Sequence, residues 1–149
     1  MDAAARDRLL EQLGRETYVS LATRRRDGTE RATPVWVVRD GDVLLVTTGA
    51  TTAKVRRARR DPAATLTPCD ARGRVRPGAP TTPVVVEVTD APAAVARVDQ
   101  LLRRKHPVGH RALAVVHAAA RLRSRLPGGG GEGGLADDQV VLRLRLRDA

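Results

Sequence analysis

Residues 17–48 read TYVSLATRRRDGTERATPVWVVRDGDVLLVTT, and the fold is decided there. Thr17 to Arg24 alternates, with Val19 and Leu21 on one face and Tyr18, Ser20 and Ala22 on the other. That period of two marks a strand with one buried face. Asp27-Gly28 signals a turn into a second strand, Arg31 to Val38. Asp40-Gly41 signals another into Val43 to Thr48. Two such turns joining three strands predict an antiparallel meander.

Upstream, residues 3–13 carry Leu9, Leu10 and Leu13 at helical spacing, with Gly14 as the expected stop. Downstream, Thr51 to Arg60 reads as a short helix ended by Asp61-Pro62. Ala64 to Cys69 is a fourth strand, Asp70 to Pro80 a basic loop, and Pro83 to Thr89 a fifth strand around Val84-Val85-Val86. Asp90 is the expected cap of a helix with Pro92 in its first turn and Val95, Val98 and Leu102 inward, ending at Pro107. A further helix is expected over 109–125, with Leu113, Val116, His117 and Ala120 on one stripe, then a flexible glycine-rich loop at 127–134. Gln139 to Arg147 alternates cleanly, with Val140, Leu142, Leu144 and Leu146 against Arg143, Arg145 and Arg147. The expectation is one α+β domain over 1–149, mainly β, with six antiparallel strands forming a closed or half-closed barrel.

Composition narrows the function. Tyr18 and Trp36 are the only aromatic residues, so Val, Leu and Ala must build the core and few rings can stack on bases. The formal charge of +10 suggests a polyanion partner, but all but two of the 27 basic residues are arginine. In a chain rich in Ala, Gly and Val, that bias fits a GC-rich genome without any nucleic-acid role. No DNA-reading motif accompanies it. A single cysteine, Cys69, makes no internal disulfide and fits a reducing compartment. With no signal-peptide core at the N-terminus and no apolar run long enough to span a bilayer, the expected location is the cytoplasm.

The stretch richest in chemistry is Thr47-Thr48-Gly49-Ala50-Thr51-Thr52-Ala53-Lys54-Val55-Arg56-Arg57. A strand ends, glycine allows a turn, and a helix opens amid hydroxyls and positive charge. The free N–H groups of a first helical turn suit a phosphate. Thr51 or Thr52 can donate a hydrogen bond to it, and Lys54 adds a compact charge. The glycine pattern of a Walker loop is missing. Taken alone, the stretch fits a threonine-capped surface helix better than a phosphate site. No metal site is expected: His106 and His110 flank Pro107 without partners at zinc-like spacing, and His117 lies on an apolar stripe. Cys69 has no neighbouring base to activate it, and Asp70 can simply begin the turn toward Gly73.

The order of motifs shifts that balance. Thr33-Pro34-Val35-Trp36, the Thr47 to Arg57 turn, Asp61-Pro62, and Pro68-Cys69-Asp70 with Gly73 together resemble the pyridoxamine-phosphate-oxidase-like split β-barrels, specifically their small F-420-dependent branch. The resemblance covers about residues 16–76. It implies a tricyclic ring lying along the backbone of Pro34, Val35 and Trp36. It also implies a cofactor phosphate held by Thr47, Thr48, Thr52 and Lys54, with Arg57 reaching the same anion or an acidic tail. Cys69 and Asp70 match a pair at the pocket edge. Relatives often carry Ser or Arg at the place of Thr52. The resemblance implies a homodimer using coenzyme F-420, or alternatively FMN, to exchange hydride with a small organic substrate. No catalytic residue is named, because such cofactors carry the chemistry themselves. The Arg-Leu-x-Pro ending of true pyridoxine-phosphate oxidases is absent, which argues against a vitamin B6 substrate. The other readings are a non-catalytic cofactor carrier and, as a minor one, a basic nucleic-acid-binding barrel.

Overall fold

A computed structural model describes residues 1–107 and 139–147. The helix expected over 109–125, the glycine-rich loop at 127–134, His110 and His117 lie outside the described residues. Within them the order is α1 (Ala3–Arg15), β1 (Tyr18–Arg24), β2 (Glu30–Trp36), β3 (Val38–Asp40), β4 (Val43–Gly49), α2 (Ala53–Arg60), β5 (Ala63–Cys69), β6 (Thr82–Thr89), α3 (Pro92–Lys105) and β7 (Gln139–Leu146). All pairings are antiparallel, in the order β2-β1-β5-β6-β7-β4-β3.

The two ends of that order are halves of one chain segment. β2 pairs with β1, β3 pairs with β4, and only Val37 separates them. The sheet must therefore bend round until its edges meet, which makes a barrel. The six expected strands become seven because the strand read as Arg31 to Val38 changes partner at Val37, whose side chain is wholly buried. Pairing is incomplete at the change. β3 covers only Val43 to Leu45 of β4, so Val46 to Gly49 has no β3 partner, and β2 has a strand on one edge only. Between these two runs the barrel is split.

Alternation fills the interior. Val19 and Leu21 of β1, Leu44 and Val46 of β4, Leu66 of β5, Val84 and Val86 of β6, and Val140, Leu142 and Leu144 of β7 share one core. Leu10 and Leu13 of α1 and Val55 and Ala58 of α2 join it. On the outside, Val98 and Leu102 of α3 pack on Val38, Val43, Leu45 and Val141 in a second cluster. Burying each such aliphatic side chain contributes about 1.5–3 kcal/mol, so two aromatics suffice for the whole chain.

Local signals hold with four corrections. The β3–β4 turn consists of Gly41 and Asp42, since Asp40 pairs with Val43. Gly41 has φ +63, the value a II′ hairpin requires at its first central position. The β1–β2 connection is longer than two residues, because Arg24 pairs with Glu30. There Asp27 accepts hydrogen bonds from the backbone N–H and hydroxyl of Thr29. Asp90 does not cap α3: Ala91 holds that position and makes no side-chain cap, while Pro92 opens the helix as expected.

The fourth correction concerns Gly14. It does not stop α1, which runs to Arg15 with its carboxylate cap, Asp2, bonded to the N–H of Ala5 at 2.7 Å. Gly14 lets the helix touch β3 instead: a Cβ there would lie 2.9 Å from Cβ of Arg39. Helix propensity favours alanine over glycine by about 1 kcal/mol, but forcing packed backbones apart costs about 1–3 kcal/mol. The clash wins. Gly14→Ala is expected to lower the midpoint of chemical denaturation; a midpoint raised by the better helix former would show that α1 does not dock this closely.

Candidate functional site

The split gathers most of the residues singled out in the sequence, though not on one surface. Register sorts them by face. Val35 and Thr33 oppose Val19 and Leu21, so their side chains share the barrel's inner face; Pro34 and Trp36 oppose Ser20 and Tyr18 on the outer face. Thr48 follows Val46 inward and is buried, whereas Thr47 pairs with Val141 on the outer face. The Thr47 and Thr48 side chains therefore point apart. Thr47 hydrogen bonds to Oε1 of Gln139 at 3.3 Å, away from Lys54's partner Thr48.

α2 brings the basic groups to this end of the barrel. Lys54 is half-buried and donates from Nζ to Oγ1 of Thr48 at 3.0 Å. Burial pushes its ammonium below the usual lysine range, and the charge of Arg57 adds to the shift. Arg57 donates from Nε to Oγ1 of Thr23 at 2.7 Å. Its guanidinium is also pushed down, first by burial and then by Arg25, Arg31, Arg56 and Arg60. Neither Lys54 nor Arg57 forms an ion pair with a carboxylate among the described residues. A half-buried ammonium beside a guanidinium is costly unless an anion compensates it. Thr52 is the N-cap residue of α2, but its hydroxyl donates to the carbonyl of Gly49 at 3.0 Å and caps no helical N–H. Beyond Arg57 an open cleft of about 740 Å³ runs between the hairpin arginines Arg25 and Arg26 and Arg56, Arg59 and Arg60 of α2.

β2 supplies the opposite wall. Pro34, opposite Ser20, has no N–H to contribute to a ladder, and it shares its phase along the strand with Ala32 and Trp36. The edge of β2 that β1 does not pair faces the split. Oγ1 of Thr33 is buried with no hydrogen-bond partner.

On the outer face, Trp36 neighbours Tyr18 with ring centroids 6.4 Å apart, and Tyr18 neighbours Cys69 on β5. Cys69 is half-buried, and burial, then the charges of Asp70 and Glu16, raise its thiol above the ordinary range. It is a protonated thiol, poorly suited to nucleophilic attack. Asp70 spends its carboxylate on its own loop, accepting from the N–H groups of Arg72 and Arg74 and from Nε of Arg74, each at 2.9 Å. Those bonds lower its pKa. The loop leans on β2, where a Cβ on Gly73 would lie 3.4 Å from Cδ of Pro34. A cavity of about 490 Å³ opens between this loop, Cys69 and Glu16.

Two residues that the sequence did not place here belong to the same region. His106 stacks on Trp36 at 4.8 Å, and Lys105 donates to the carbonyl of Val37. Their distance along the chain hides both contacts from local pattern reading. No helix among the described residues is long and apolar enough to cross a membrane.

Comparison with known proteins agrees with the architecture. An F420 reductase superposes with a TM-score of 0.56 at 22% identity, covering 93% of each chain. A conserved hypothetical protein of Mycobacterium tuberculosis gives 0.65 at 19% identity, covering 99% of this chain and 82% of its own. A haem storage protein of Vibrio cholerae gives 0.60 at 13% identity, covering 100% and 93%. At these identities the likeness is one of fold. Among curated proteins none matches the chain. The family model for pyridoxamine 5'-phosphate oxidase matches residues 5–123, most of the chain. With its antiparallel barrel split beside β2, the chain belongs to the pyridoxamine 5'-phosphate oxidase family.

Proposed function

We propose that this protein is an oxidoreductase that binds coenzyme F-420 in the split and exchanges hydride between it and a small organic substrate. The observation that carries the reading is the Lys54–Arg57 pair: two cations, half-buried, hydrogen-bonded to threonine hydroxyls and without a carboxylate ion pair among the described residues. Such a pair fits a phosphate. The buried, unpartnered hydroxyl of Thr33 and the unpaired peptide edge of β2 fit a flat heterocycle rich in hydrogen-bonding atoms. The residues present therefore suit the group.

When bound, the reduced deazaflavin supplies a hydride to the acceptor. The chain's own work is positional. Lys54 and Thr48 hold the phosphate, Arg57 shares its charge, and the free edge of β2 fixes the ring's plane. Val35 closes the floor from inside the barrel, where it is buried. Thr52, its hydroxyl committed to Gly49, orders the turn that presents Lys54. Thr47 lies on the far face of β4 and, in this reading, contributes through its backbone. Cys69 and Asp70 shape the neighbouring wall without taking part in proton transfer, and the proton that accompanies the hydride comes from solvent.

The arginine cleft favours F-420 over FMN. FMN ends in one phosphate, which Lys54 and Arg57 can satisfy alone. F-420 continues into a tail of glutamates, and the cleft beyond Arg57 offers five more arginines. FMN remains the second reading because the compact anion site is sufficient for it.

A homodimer completes the proposal. On the outer face of β2, Trp36 packs against α3, but Ala32 and Pro34 are exposed. One side of the split is an open edge. A two-fold partner on that face would wall in the cofactor. Sedimentation of the cofactor-loaded protein at micromolar concentration is expected to give a dimer, and a loaded monomer would refute the arrangement.

Fluorescence titration tests the cofactor. Lys54→Ala should weaken F-420 binding by about 1.5–3 kcal/mol, the range for hydrogen bonds to charged groups. Arg57→Ala should cost less, about 0–1 kcal/mol, because its head is more exposed. A longer glutamate tail should bind more tightly at low salt. The gain should fade as the Debye length drops to about 10 Å near 0.1 M salt. Equal affinity for short and long tails would remove the cleft from the reading, and unchanged affinity in Lys54→Ala would remove the phosphate site.

Cys69→Ala should keep turnover within a few-fold, since its thiol is protonated and the substitution is small. A fall of several orders of magnitude with cofactor binding intact would mean that the thiol takes part in the reaction.

A further inference from the structure

α3 ends at the kink that splits the barrel, and its last residues grip both sides of that kink. The ring of His106 lies against the indole of Trp36, with centroids 4.8 Å apart and planes at 36°. One residue earlier, Lys105 reaches inward and donates from Nζ to the carbonyls of Gly14, Glu16 and Val37. Those acceptors belong to the C-terminal end of α1 and to the residue that divides β2 from β3. An ammonium suits the last carbonyls of a helix, where the dipole is negative. Lys105 thus ties three separate elements through one atom, at a place where burial pushes its pKa down to about 8.

Val37 is where the strand changes partner, so no regular ladder fixes it on both sides. Its geometry has to come from elsewhere. His106 and Lys105 contact the two residues across the change, Trp36 on the outer face and Val37 through its backbone. Nε2 of His106 is buried without a hydrogen-bond partner among the described residues, and the ring packs against Trp36. A polar nitrogen kept dry for the sake of a stack points to a placement role for the ring. The salt bridge from Arg97 to Asp40 at 3.1 Å anchors the same helix to the end of β3, leaving its C-terminal residues aligned with the kink.

We propose that Lys105 and His106 are positioning residues for the cofactor seat, holding Trp36 and Val37 so that the free edge of β2 keeps a fixed distance from β4. The inference rests on the reading above, in which that edge seats a flavin-like cofactor. Its first consequence, however, concerns the protein alone. Without the stack, the peptides of Val35 to Val38 should open more often, while the ladders of β1, β5, β6 and β7 should not.

Hydrogen exchange and cofactor titration on the full chain separate the two levels. In His106→Ala, amides of Val35 to Val38 should exchange about tenfold faster, as local opening without global unfolding. Affinity for F-420, or for FMN if that is the cofactor bound, should fall roughly 2- to 10-fold, the effect of losing one ring pair. His106→Phe keeps a ring and should restore both. Emission of Trp36, the only tryptophan, should change in the alanine variant and return toward wild type in the phenylalanine one. Unchanged exchange at Val35 to Val38, or a loss of protection spread over every strand, would overturn the clamp. Faster exchange at the kink with wild-type cofactor affinity would overturn the positioning role. Should the wild-type protein bind neither F-420 nor FMN, the functional reading fails; faster exchange in His106→Ala, rescued by phenylalanine, would still uphold the clamp.

Discussion

One segment, Glu30 to Asp40, is obliged to serve two neighbours. Its first half pairs with β1 and its second with β4, and everything else in the barrel accommodates that double duty. A strand cannot hold two full ladders on its two edges while changing from one to the other, so the region of the change loses pairing. The unpaired peptide groups are then exposed along one slot, with a strand end and a helix start beside it. The barrel closes and opens at the same residue. In the proposed reading, the ligand site is the remainder of sheet closure, without any element devoted to it.

Charge follows the same geometry. The helix after β4 must plug the barrel with Val55 and Ala58, which are buried, and their spacing directs Lys54 and Arg57 toward the slot. Arg56, Arg59 and Arg60 point to the solvent beside the β1–β2 hairpin. The high net charge of the chain is thus not evenly spread in effect: most surface arginines are solvated or paired, as with Arg39 and Asp7 or Arg74 and Asp70, while the α2 end concentrates cations that repel one another. Composition alone gave no reason to distinguish the two groups. Burial does.

Much of the fold was readable in the sequence because alternation is a local property. Thr17 to Thr48 and Gln139 to Arg147 display their inner faces directly, and the structure keeps the same faces. The partner change at Val37 was not readable, since the residues on either side look like one uninterrupted strand and only pairing distinguishes them. Gly14 was misread because a close approach to Arg39 leaves no mark at helical spacing. Asp90 carried the right chemistry for a cap one position too early. At the site, Lys54 and Thr48 lie close in sequence and meet as expected, but Arg57 finds Thr23 from 34 positions away. The opposite orientations of Thr47 and Thr48 followed from the period of a strand and could have been drawn from it. Lys105 and His106 lie 68 and 70 positions beyond the residues they touch, and no periodicity spans that distance.

Pro34 gives the open slot a property of a different kind. An unpaired strand edge invites another chain to add to it, the first step of runaway association between copies. A proline in the middle of that edge withholds one N–H and rigidifies the backbone on both sides, so an incoming strand cannot form a continuous ladder. A flat ligand needs only a few contacts and is not deterred. In the proposed reading the same residue leaves room for a small molecule while opposing strand addition, and lets a β-rich protein keep an edge unguarded without becoming adhesive.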